Sequence, residues 1–118
     1  MSGDPSMMLP GALPTAWGGR PAQTMAEVEY QRAVVHHAAK REQLSERVAE
    51  NVVARKALME AVAAVGPHHS WAHDALTKLR ETRAAVNAAH AAVAKADVRL
   101  CKAAEMWAGA AALTEATR

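Results

Sequence analysis

The chain has 118 residues and a formal net charge of +2; about a quarter of it is alanine, with one tyrosine and no phenylalanine. That length holds one domain at most, and alanine, the best helix former but a poor core filler, predicts long helices packed closely in place of a thick core. Acids and bases balance over residues 1–24 and again over 25–65, with no block of like charge, so the basic stripe that nucleic acid calls for is absent from the linear sequence. The lone Cys101 excludes an internal disulfide, and no apolar run reaches the roughly 18 residues of a membrane span.

Residues 1–23 hold four of the five prolines and four of the six glycines, which forbids a regular element. Met7, Met8, Leu9, Leu13 and Trp17 are spaced along the segment, too apolar for a free linker. They predict an extended arm that docks on a neighbour. The segment lacks the basic start of a secretory signal, so the expectation is a soluble protein, intracellular or virion-associated, with no cleaved leader.

At Thr24 the character changes. Thr24-Met25-Ala26-Glu27 matches a capping box, and no Pro or Gly follows until Gly66. A helix is expected over 24–65, about 63 Å long at 1.5 Å per residue. Gly66 suits the left-handed position that ends a helix, with Pro67 as a stop. Ser70 is a natural N-cap for a second helix over 71–112, with Asp74 in its first turn and Gly109 weakening its last turns.

The second helix carries a heptad stripe: Ala75, Leu79, Thr82, Val86, Ala89, Val93, Ala96, Leu100, Ala103, Trp107 and Ala110. The first carries a poorer one: Tyr30, Val34, His37, Arg41, Leu44, Val48, Asn51, Arg55, Leu58, Val62 and Val65. Folded antiparallel about the corner, residues whose numbers sum to near 137 meet, and small faces large along a coiled-coil seam. The fold class is therefore all-α: an antiparallel two-helix hairpin, coiled-coil-like with an Ala-rich seam, preceded by the Pro/Gly-rich arm. Val28, Val35, Val52, Val53 and Met59 on the first helix, and Leu76, Val98, Met106 and Leu113 on the second, fall off the seam. A bare hairpin buries too little to be very stable, so these side chains are expected to pack on another chain or on the arm.

The sequence offers little chemistry. His68, His69 and His73 cluster at the corner, and His69 and His73 are four apart. A zinc site needs three or four ligands, and the better reading is a solvated corner without metal or cofactor. Catalysis needs convergent acids and bases in a pocket, which two helices do not enclose. Glu29–Arg32, Arg47–Glu50, Lys78–Glu81 and Lys102–Glu105 are spaced as surface pairs. No phosphate loop, dinucleotide turn or nucleophile elbow occurs. Lys78, Arg80 and Arg83 form the one local basic cluster, interrupted by Glu81.

A helical hairpin of this length is similar in architecture to the small W-x-G proteins of type VII secretion. The resemblance implies a Trp-x-Gly at the bend and a Tyr-x-x-x-Asp/Glu near the C-terminus. Here Trp71 follows Gly66, Trp107-Ala108-Gly109 lies late in the second helix, and Tyr30 is the one tyrosine, so the resemblance stops at architecture. The expected function is a non-enzymatic structural or assembly subunit, a homo-oligomer or part of a larger complex. The Ala-rich, Lys-poor composition suggests a GC-rich genome, and with it a small virion component of an actinobacteriophage. The alternative is a secreted or regulatory hairpin module, either a W-x-G-like effector or an inhibitor of a host protein.

Overall fold

The chain is an all-α helical hairpin. The structure, a computed structural model, describes the backbone of residues 21–116 and the side chains of residues 24–116. The expected arm residues Met7, Met8, Leu9, Leu13 and Trp17 lie outside the described residues. Helix α1 spans Pro21–Val65 and α2 spans Ser70–Ala116.

The helix ends differ from expectation in three places. Helix α1 begins three residues ahead of Thr24, so Thr24 is an interior residue and not the cap, and the first turn holds no acid. Proline suits such a start: its φ is preset, and its missing N–H would have no partner in the first turn. Helix α2 begins with the backbone bond from His73 N–H to the His69 carbonyl, 3.0 Å. That makes His69, and not Ser70, the capping residue, and it puts Asp74 beyond the first turn. At its far end α2 runs through Gly109 to Ala116 instead of stopping near 112. A helical glycine costs only about 1 kcal/mol relative to alanine, and alanines on both sides of Gly109 sustain the helix.

The corner behaves as glycine chemistry requires. Gly66 has φ of 86°, a left-handed value that a side chain disfavours, and its N–H bonds the Val62 carbonyl at 2.9 Å. This is the single-bond αL termination. The two-bond alternative needs an N–H from the next residue, which is Pro67.

Two compact units make up the fold. The corner unit is His37–Ala96; the terminal unit combines the described residues up to His36 with those from Asp97 onward. In each, a segment of α1 packs on a segment of α2. Every residue expected on the α2 seam is buried or half-buried. On α1 only alternate positions are: Tyr30, His37, Leu44, Asn51 and Leu58 are buried or half-buried, and next to three of the other expected positions the buried residue lies one earlier, at Ala33, Ala54 and Ala61. Ala33, Ala54 and Ala61 are buried while Val34, Val48 and Val62 are exposed. With the inward residues at heptad positions a and d, the three valines sit at e. The reason is steric: an alanine at d lets the helix axes approach, and a valine there would hold them apart.

Candidate interaction site

The buried residues of the corner unit are small. Ala61, Ala72 and Ala75 form its apolar centre, with Leu58 packed against them. Each buried methyl is worth on the order of 0.8 kcal/mol, so the centre is shallow. Next to it lies a polar layer. Asn51 Nδ2 donates to Thr82 Oγ1 at 3.1 Å, and that hydroxyl donates to the Leu79 carbonyl at 3.0 Å. Arg55 donates to Asn51 Oδ1 at 3.3 Å. A sum near 137 puts Asn51 opposite Val86 and Arg55 opposite Thr82; instead Thr82 and Arg55 both bond Asn51. Satisfied in this way, a buried amide fixes register without leaving an unpaired group.

The histidine corner has a structural task. His69 Nδ1 accepts a hydrogen bond from the Trp71 N–H at 3.0 Å, satisfying one of the donors that every helix start leaves open. In this bond Nδ1 is unprotonated. Sequence reasoning missed the role because serine is the commoner cap and stood next door. Among the described residues no group of three or more His, Cys, Asp or Glu is arranged to hold a metal ion.

The terminal unit is held by larger groups. The rings of Tyr30 and Trp107 lie 5.0 Å apart, tilted by 35°. Trp107 is therefore a packing residue of α2, and the late Trp-Ala-Gly is part of a continuous helix. Arg99 grips Glu29 with two bonds, 2.9 and 3.1 Å, between half-exposed side chains. The guanidinium's hydrogen bonds hold the Glu29 carboxyl below its ordinary range and raise Arg99 above its own. These two residues are 70 apart in sequence, so nothing in the local spacing announced the pair.

The off-seam residues do not form one surface. In the terminal unit Val35, Val98, Met106 and Leu113 are exposed and Val28 is half-buried. In the corner unit Val52, Val53 and Met59 are exposed and Leu76 is half-buried. Val52, Met59 and Leu76 share the flank of the exposed valines Val48 and Val62, whereas Val53 is on the other flank. There an open groove of about 680 Å³ runs past Arg47, Glu50, Val53, Ala57, Lys78 and Thr82. It exists because alanines at the helix junction leave a trough. The basic cluster is divided likewise: Lys78 lines the groove, and the heptad turns Arg80 and Arg83 to the other flank.

No helix among the described residues is long and apolar enough to cross a membrane. No known family model, curated protein or solved structure matches the chain.

Proposed function

We propose that the chain is a non-enzymatic structural subunit that completes its fold by joining copies of itself or a larger assembly. The observation that supports this reading is an inverted distribution of apolar side chains. Among the described residues, seven of the eight buried apolar residues are alanine, no large side chain is fully buried, and thirteen large apolar side chains are exposed. A single two-helix layer built this way is marginal alone. Apolar faces on several sides suit a part that is covered by neighbours. A small virion component of a GC-rich actinobacteriophage is the specific version that the composition favours.

The test is thermal unfolding, followed by circular dichroism, at protein concentrations spanning two decades. It compares the full chain with a chain beginning at Pro21. A subunit stabilised by its own copies melts at higher temperature as concentration rises, and loses part of that gain without residues 1–20. A midpoint that ignores concentration in both chains, without any partner added, counts against self-assembly. It would favour the regulatory alternative, a module that binds one foreign protein one to one.

A further inference from the structure

The even charge along the sequence conceals a sorted charge around the corner unit. Take the α1 stripe Arg41, Ser45, Val48, Val52, Arg55, Met59 and Val62, whose steps alternate between three and four residues. The matching α2 stripe runs His73, Leu76, Arg80, Arg83, Asn87, His90 and Ala94. In an antiparallel hairpin these two stripes border the seam on the same flank. Together they hold four arginines and no carboxylate. Arg41, Arg80 and Arg83 are exposed and make no ion pair among the described residues. Val48, Val52, Met59 and Val62 stand exposed between the arginines.

The opposite flank is the inverse in charge and in relief. It carries Glu46, Glu50, Glu60, Asp74 and Glu81, against Arg47, Lys78 and Lys95. Between the helices on that flank lie the open groove beside Ala54 and Ala57 and its smaller continuation past Ala85, Ala88 and Ala92. One flank presents branched ridges with arginines and no carboxylate; the other presents an alanine trough lined by Glu50, its ion-pair partner Arg47 and Lys78, on a flank where carboxylates outnumber cations five to three.

We propose that these flanks bind each other in trans. The arginine flank of one copy seats in the alanine trough of the next, with Arg80 and Arg83 meeting the carboxylates of that flank, Glu50 in the groove lining and Glu81 among them. This rests on the assembly reading above and names the partner as a second copy. Nucleic acid matches the arginines less well, because the exposed valines and Met59 would gain no cover from phosphate. A face-to-back contact leaves one free flank at each end, so it builds rings or open chains instead of closed two-fold dimers.

The experiment uses full-length protein in three forms: wild type, R80E/R83E and E50K/E81K. All four substituted residues are exposed and none bonds across the helices, so helicity by circular dichroism should be retained; R80Q/R83Q replaces the first variant if it is not. Molar mass is measured across concentration, for each protein alone and for an equimolar mixture of the two variants. Wild type should associate, with each variant alone weakened at least about tenfold by facing like charges. The mixture should recover association, since each variant supplies the flank the other needs. Wild-type association that both variants retain, or a mixture that does not recover, overturns the face-to-back contact and leaves the assembly reading standing. A wild type that stays monomeric overturns the contact too, and leaves the assembly reading dependent on a foreign partner.

Discussion

In each unit a segment of α1 packs on a segment of α2, and the two units hold that packing by different means. In the terminal unit a tyrosine–tryptophan pair and a two-bond ion pair link the helices. In the corner unit the link is three alanines, a leucine and a hydrogen-bonded amide. Large side chains give area and tolerate small errors of spacing; alanines give little area and demand close approach. Both units leave larger apolar residues exposed, Val34, Val35, Val98, Met106 and Leu113 in one and Val48, Val52, Val53, Met59 and Val62 in the other. The half with the weaker interior is the one with the sorted exterior, and this is where assembly would add most stability.

Several substitutions can break or sharpen that contrast, read as urea or thermal unfolding by circular dichroism. Trp107→Ala should have the largest effect. It removes the ring pair of the terminal unit and should cost about 2–3 kcal/mol, below a full core truncation because Trp107 is only half-buried. Ala61→Leu should come next, at about 1–3 kcal/mol, because the site is fully buried and has no room for three more carbons. Val62→Leu, one residue along at 38% exposed, should stay within about 0.5 kcal/mol. Equal effects at 61 and 62 would refute the α1 register, in which alanine and not valine faces the seam.

The polar layer gives a subtler test. Asn51→Ala should cost about 1–2 kcal/mol by stripping Thr82 and Arg55 of their partner, while Asn51→Leu with Thr82→Val should be close to neutral. If the double variant is as unstable as the single one, the layer does more than satisfy itself. His69→Ala should cost about 1 kcal/mol at the start of α2, and His69→Asp should restore it, since both histidine and aspartate accept from the Trp71 N–H.

The smallest effect belongs to the Glu29–Arg99 pair. The folded-state pKa of Glu29 lies below that of the unfolded chain. Its contribution is therefore complete above the unfolded carboxylate range and drains away as pH falls through that range toward the lower folded value. Glu29→Gln should flatten that part of the acid-unfolding curve and leave neutral stability almost unchanged, because the pair is half-exposed and screened.

The hairpin itself was legible because the chain states it twice: in the uninterrupted helical runs either side of Gly66-Pro67, and in the α2 heptad, where Leu79, Val86, Val93, Leu100 and Trp107 recur every seventh residue. The α1 register was half legible. A reading that rewards large apolar residues selects Val34 and Val62 over Ala33 and Ala61, although close-packed helices want the reverse. Individual bonds were legible only where they were local. Arg47–Glu50 is spaced three apart and forms, at 3.1 Å; Glu29–Arg99 and Asn51–Thr82 depend on the antiparallel register. The sorted flanks were hidden for the same reason, because charge that balances along a helix can still segregate around it.

The most direct test of the central claim is the molar mass of the full chain in solution, by light scattering, over a range of concentration at moderate salt. Self-assembly predicts a mass that exceeds 12.5 kDa and climbs with concentration. A constant mass of one chain at every concentration would contradict it.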